Sequence, residues 1–338
     1  MINQIYTNWQ LIILNNNRKI EVNKYIYGLE DNKIKITDIS NFSVNDILGE
    51  YFGYLDCCDV LSPNALQEVA LACALNKSTK LLYSDHDVLL EDDKTKNNPF
   101  FKPDYSPDTL LSFNYLSPFV MFKKTLLNEN DNIKNNLSKD YGFILSKIDN
   151  LVRNDVYHID KVLYHWRQKK ESASFSNIKK PYAIDAATKA RESALSRRNI
   201  KGYIDSQNGI NKIIFDYQDK KASIVIPSKD NYESLKRCID SIIKNTKNVN
   251  YEIIVIDNGS NKENKALIES YLKQNNCKYI YFVKPFNFSY MCNIGAKEAS
   301  GDVLVFVNDD IEIIEEKWLS IMIGQAIQPH TGAVGAKL

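Results

Sequence analysis

Three short apolar runs, each ending in a small polar turn, constrain this chain more than any other feature. Residues 222–230 read ASIVIPSKD, 251–260 read YEIIVIDNGS, and 301–314 read GDVLVFVNDDIEII. A run such as 303–307, mostly β-branched, predicts a strand buried on both faces, hence parallel and covered by helices. Between the first two runs, Leu235, Cys238, Ile239, Ile242 and Ile243 fall at helical spacing, with Asn231 as N-cap. Strand, helix and strand make a βαβ unit with a right-handed crossover. Open α/β sheets bind ligands at the carboxyl ends of such strands. Ser228 and Asp230, Asp257 and Asn258, and Asn308, Asp309 and Asp310 are therefore predicted to converge on one crevice. Asn and Asp are ordinary turn formers after a strand. Turn formation accounts for one such end, and poorly for three in succession. Hard oxygen ligands at a strand end suit Mg²⁺ or Mn²⁺ holding a diphosphate.

The chain also repeats itself. NWQLIILNNN (8–17) matches NYEIIVIDNG (250–259), and GEYFGYLDCCDVLSPNAL (49–66) lies against GDVLVFVNDDIEIIEEKWL (301–319). Asn-Phe-Ser precedes the second match in both copies, at 41–43 and 287–289. A period of roughly 240 residues is a domain duplication, far longer than a solenoid unit. The copies differ. Copy one begins at the second strand, and Asn15 stands opposite Asp257. Eight residues lead from Asn-Phe-Ser to the next glycine in copy one (41 to 49), against fourteen in copy two (287 to 301), so one helix is shortened. The acidic turn of copy one reads Asp56-Cys57-Cys58-Asp59. Copy one then continues past the point where copy two ends. Ser62 and Pro63 read as N-cap and N1 of a helix to about Asn76. Alanines at helical spacing predict another helix over 181–199.

PSKD (227–230), DNGS (257–260), FNFSYMCN (286–293) and VNDD (307–310) resemble the donor half of family-2 glycosyltransferases of the GT-A fold. The likeness is to the tandem-domain enzymes of cell-surface polysaccharide and O-antigen synthesis. NPFFKPDYSPDTLLSFNY (98–115) resembles that family's acceptor-side segment, KDYGF (139–143) the place of its catalytic base, and VLYHWR (162–167) a motif near the domain's end. The resemblance implies an α/β fold with two GT-A type domains in tandem. The first, 1–205, lacks its first strand. A linker follows at 206–220. The second, 221–338, lacks its acceptor half. It further implies metal-dependent, inverting transfer from a nucleotide diphosphate sugar to a glycan or lipid-linked glycan hydroxyl. Asp140 would be the base. Pro227, Ser228, Asp230, Asp257, Asn258, Ser260, Asn287, Asn293, Asn308 and Asp309 would hold the donor, and Asp310 the cation, Mg²⁺ or Mn²⁺. Asp56 and Asp59 are the corresponding candidates in copy one. There the family pattern is Asp-x-Asp-Asp, so Cys58 replaces a metal carboxylate, and a neutral thiol is a poor Mg²⁺ ligand.

Composition sets the remaining bounds. A length of 338 residues predicts two domains of ordinary size, and a net charge of +1 argues against a nucleic-acid surface. Six cysteines without CxxC or zinc spacing predict buried, reduced thiols and a cytoplasmic setting. No run approaches the ~20 apolar residues of a membrane helix. Peripheral association at the inner face of a membrane stays open. The four histidines are scattered and read as packing or surface residues. The aromatic run Phe100, Phe101, Tyr105, Phe113 and Tyr115 reads either as a sugar platform or as core. Two alternatives stand beside transfer. One is a non-catalytic nucleotide-sugar or glycan binding protein, or a truncated inactive product. The other is a nucleotidyltransferase, which the lack of a Gly-rich phosphate loop disfavours.

Overall fold

The structure is a computed structural model, described here for residues 1–15, 33–128, 141–167, 181–206 and 211–336. It divides into two units. Unit 1 holds 1–200 and 204–213, and unit 2 holds 201–203 and 214–338.

Unit 1 opens with β1 (Leu11–Asn15) and β2 (Ile34–Asp38), which pair in parallel. A mixed sheet follows: β3 (Tyr51–Gly53), β4 (Val60–Leu61), β5 (Leu81–Leu89), β6 (Lys96–Phe100), β7 (Val120–Lys123) and β8 (Val156–Arg167). Its order is β3-β7-β5-β8-β4, with β6 on β5. Helices α1 (Ala65–Leu75), α2 (Pro107–Ser112), α3 (Tyr141–Ile148) and α4 (Pro181–Arg197) complete the unit. The first helix starts later than the Ser62-Pro63 reading, because Asn64 takes the cap position. The Ser62 hydroxyl is engaged instead with His165 Nε2, at 2.8 Å. The aromatic run divides: Tyr115 is core, whereas Phe101 and Phe113 are exposed. His158 and His165 are tied to Asp85 and Asp87.

A short two-stranded sheet of β9 (Gly202–Asp205) and β10 (Lys212–Phe215) precedes the main body of unit 2. That body runs β11 (Ala222–Ser228), α5 (Tyr232–Asn245), β12 (Tyr251–Asp257), α6 (Lys262–Gln274), β13 (Lys278–Tyr281), α7 (Phe288–Glu298), β14 (Val303–Phe306) and α8 (Trp318–Ala326). The sheet is all parallel, in the order β13-β12-β11-β14. Alternate residues of β11 serve opposite faces. Ile224 and Ile226 join the apolar residues of α5, α6 and α8, while Val225 packs with Ile254, Ile256 and Met291 of α7. Continuous apolar runs are what two covered faces require. Gly295 of α7 sits so close that a Cβ would come within 2.2 Å of Val225.

Three further expectations need correction. The cysteines are not buried as a set: Cys238 is, but Cys57 is exposed and the other four are half-buried. Asn231 occupies the cap position of α5, but its side chain makes no capping bond. β14 is not buried on both faces. Val305 is buried on the helix side, but Leu304 is 41% and Phe306 49% exposed. The cause is position: among the described residues β14 is an edge strand, and α7 covers β11 and β12. No helix among the described residues is long and apolar enough to cross a membrane.

Candidate functional site

The strand order of unit 2 locates its ligand site. From β11 the chain moves to β12 and β13 on one side, then returns to place β14 on the other. The reversal between β11 and β14 leaves a crevice at the carboxyl ends of those two strands, where doubly wound sheets take ligands.

Register brings the polar residues there into one row. Ser228 pairs with Asp257, and Asp257 pairs with Tyr281. Across the reversal, the Ser228 hydroxyl donates to Asp309 Oδ2 at 2.6 Å. Asp257 is wholly buried and accepts from the Ser260 amide at 2.8 Å and the Tyr279 hydroxyl at 2.6 Å. Burial, with the Asp257 charge beside it, pushes the Tyr279 phenol well up. Tyr279 therefore stays a protonated donor. Its role was not legible beforehand, because an unremarkable tyrosine on a third strand gives no local signal.

The two loops over the row are tied together. The Asp230 amide donates to Ser260 Oγ at 2.8 Å, and Asp230 Oδ1 accepts from the Asn261 amide at 2.7 Å. Gly259 has φ +81°, and a Cβ there would press on Val283, so the turn needs glycine twice over. Asn258 is buried, its amide donating to the Ser228 carbonyl, and its Nδ2 has no partner among the described residues. A buried donor of that kind is costly unless something accepts from it. Pro227 lies inside β11 opposite Ile256 and lines no part of the row by a hydrogen bond of its own amide.

Asn308 and Asp310 are exposed beside the row. Together with Asp309 they offer side-chain oxygens, the hard ligand type that suits Mg²⁺ or Mn²⁺. Asn287 and Asn293 stand apart. Asn287 caps α7 through the Tyr290 amide, and Asn293 is exposed on that helix. Neither hydrogen-bonds to the row among the described residues.

The equivalent turn of unit 1 is built differently. Asp59 accepts from the Tyr164 hydroxyl at 2.5 Å and the Arg167 amide at 3.0 Å, so both of its oxygens are engaged. Asp56 Oδ1 accepts from the Cys58 amide at 3.1 Å. Asn15 Oδ1, opposite Asp257 in the repeat, is buried with no partner among the described residues. Asp140 lies outside the described residues.

Residues 223–337 match the family model "Glycosyl transferase family 2". The O-antigen biosynthesis protein RfbC of Myxococcus xanthus is 33% identical over 297 residues, covering 86% of this chain and 23% of that protein. An uncharacterised protein, y4gI, of Sinorhizobium fredii is 31% identical over 360 aligned positions, covering 99% of this chain and 39% of that one. The chain thus spans well under half the length of either relative. Among solved structures, S. aureus TarS 1–349 in complex with UDP-GlcNAc is similar with a TM-score of 0.42 at 13% identity, over 57% of this chain and 60% of that one. Glucosyl-3-phosphoglycerate synthase from Mycobacterium tuberculosis is similar with a TM-score of 0.27 at 19% identity, over 33% of this chain and 41% of that one. Residues 223–337 thus belong, by the family-model match, to glycosyltransferase family 2.

Proposed function

We propose that the crevice of unit 2 binds a nucleotide diphosphate sugar together with a divalent cation, Mg²⁺ or Mn²⁺. The chain then serves inverting transfer to a hydroxyl of a glycan or lipid-linked glycan in cell-surface polysaccharide synthesis. One observation carries the reading: Asp257, Ser228 and Asp309 stand in one row at the reversal of strand order, with Asp310 exposed beside them. Buried Asp257, held by Ser260 and Tyr279, and Asn258, whose Nδ2 has no partner among the described residues, face the nucleoside. Asp309, oriented by Ser228, and Asp310 hold the cation, whose contribution is to stabilise the diphosphate as it leaves. Asp230 and Ser260 fix the loops that frame the donor. In such a transfer the acceptor hydroxyl loses its proton to a positioned carboxylate, and the candidate base of copy one is Asp140.

Calorimetric titration of the full chain with UDP and dTDP, with and without Mn²⁺, tests the donor site. Asp310→Ala is expected to weaken Mn²⁺-dependent binding by tenfold or more, about 1.4 kcal/mol. Binding that ignores both Mn²⁺ and the substitution would sink the reading.

The two halves of the repeat support a tandem arrangement of unequal copies. Unit 2 has the donor row. Unit 1 has the acceptor-type segment but a donor turn whose Asp59 is committed and whose second carboxylate is Cys58. That observation favours, as a second reading, a chain that binds donor without turning it over by itself. Positioning of donor and base in one crevice carries much of the rate. Release of nucleotide diphosphate from a panel of nucleotide sugars is therefore expected at background. Robust release abolished by Asp140→Asn would refute this second reading and make unit 1 a working catalyst.

A further inference from the structure

We propose that the Asp56-Cys57-Cys58 turn of unit 1 is a site for a thiophilic divalent cation of the Zn²⁺ class. The ligands are the two thiolates and the Asp56 carboxylate, and the site is separate from the hard-cation crevice of unit 2.

Among the described residues, Asp56, Cys57 and Cys58 are the one group of three metal-ligating side chains whose ligand atoms all lie within 4.8 Å of one another. The two sulfurs are 3.8 Å apart. That is far beyond the ~2.05 Å of a disulfide. It matches the edge of a tetrahedron: with Zn–S bonds of about 2.3 Å, two thiolates on one cation stand about 3.8 Å apart. The thiols thus already have the spacing that tetrahedral coordination requires.

The turn is held from outside. The Asp59 amide donates to the Asp56 carbonyl at 3.1 Å, closing the turn. Arg167 Nε donates to the Cys58 carbonyl at 2.7 Å, and Asp59 is anchored on Tyr164 and Arg167. The site is accessible, since Cys57 is exposed and Cys58 half-buried. The Arg167 guanidinium, which also pairs with Asp93, places a positive charge next to the turn. Two thiolates and one carboxylate therefore do not gather negative charge unopposed. Binding displaces both thiol protons and leaves the fourth tetrahedral position for water or substrate. Thiolate ligands select Zn²⁺ and its heavier congeners over Mg²⁺ and Mn²⁺.

The proposal does not depend on the donor crevice. Its test is titration of the reduced full chain with Cd²⁺, read as thiolate-to-metal charge-transfer absorption. A single equivalent is expected to bind, with no displacement by excess Mg²⁺. Loss of an outer partner of a metal ligand already weakens binding by ten- to a hundred-fold, so Cys57→Ser and Cys58→Ser should each weaken Cd²⁺ by about tenfold or more. Cys57 is exposed, so its replacement leaves the fold intact. Cys292→Ser, on a half-buried cysteine of unit 2, should leave the titration unchanged. Three results would overturn the proposal: no charge-transfer band in the wild type, a band that survives the Cys57→Ser/Cys58→Ser double variant, or ready displacement by Mg²⁺.

Discussion

Strands β12 and β1 come from matching stretches of sequence and each pairs with the strand that follows it, yet the two pairs sit in different settings. Both pairs are parallel. In unit 2 the pair is continued by β11 and β14, and Ile254 is fully buried. In unit 1 the pair forms a separate two-stranded sheet, and Leu11–Asn15 is only half-buried throughout. The polar residue that follows shows the same contrast. Asp257 has a tyrosine hydroxyl and a backbone amide, whereas Asn15 Oδ1 has neither. A strand keeps its hydrophobic pattern from its own sequence, but it keeps a functional terminus only if its neighbours bring partners to it.

The largest expected break in this contrast is in the core. Ile254→Ala should cost about 4 kcal/mol, because a wholly buried site between two strands cannot collapse, while its counterpart Ile12→Ala should cost less than half as much. Native-state hydrogen exchange, read separately over each unit, checks the pair. Equal losses would mean that β1 is held as firmly as β12. Next comes the polar terminus. Asp257→Ala strands the Tyr279 hydroxyl and the Ser260 amide and should cost about 2 kcal/mol, whereas Asn15→Ala removes an oxygen without a partner among the described residues and should cost less. A cost at Asn15 equal to that at Asp257 would show that it has a partner in solution.

Titration separates the units further. In unit 1 burial pulls the Lys102 ammonium down to about 7, with Asp85 acting in the other direction. The folded state therefore gives up this proton earlier than the unfolded chain, whose ordinary value is 10.5. Stability of unit 1 should rise between those two pH values, and Lys102→Met should flatten the rise. In unit 2 burial raises the Glu252 carboxyl, but hydrogen bonds from Ser223 and Ser300, with the Lys221 charge, outweigh it and hold it at about 2. Its contribution is full above the ordinary 4.5 and is lost as pH falls toward 2. Glu252→Gln should therefore flatten the acid limb of unit 2 alone, the smallest of these effects. Denaturant midpoints measured across pH, monitored per unit, distinguish the two.

What could be read from the chain follows the range of each interaction. The β-branched runs at 222–228 and 251–257 and the helical spacing of 231–246 report local propensity and burial, and they correspond to β11, β12 and α5. The convergence of polar strand ends was implied by the turns at 228–230, 257–258 and 308–310, but the reversal of strand order was not. The exposed face of β14 was not legible, because a run of valines looks alike whether one side or both are covered. Cap residues shifted for the same reason. Ser62 is a good cap by type, but a buried histidine 103 residues away claims its hydroxyl. Long-range partners of acidic groups were equally silent. Nothing around Asp59 announces Tyr164, and nothing around Asp257 announces Tyr279. The adjacent cysteines were legible as letters, but CxxC spacing is the wrong template for a turn that turns two neighbouring thiols toward one point.

The hydrogen bond between Ser228 and Asp309 also has a kinetic side. Its partners are 81 residues apart in the chain. The closure it represents carries a larger entropic cost than any pairing between consecutive strands of that sheet, and contacts of such separation form late. A partly folded unit 2 with β11, β12 and β13 assembled would hold Ser228 and Asp257 in register while the carboxylates at 309 and 310 remained elsewhere. On the proposed function, cation-dependent nucleotide binding would then be the last property to appear during refolding and the first to vanish on unfolding, so that occupancy of the crevice would report the docking of β14.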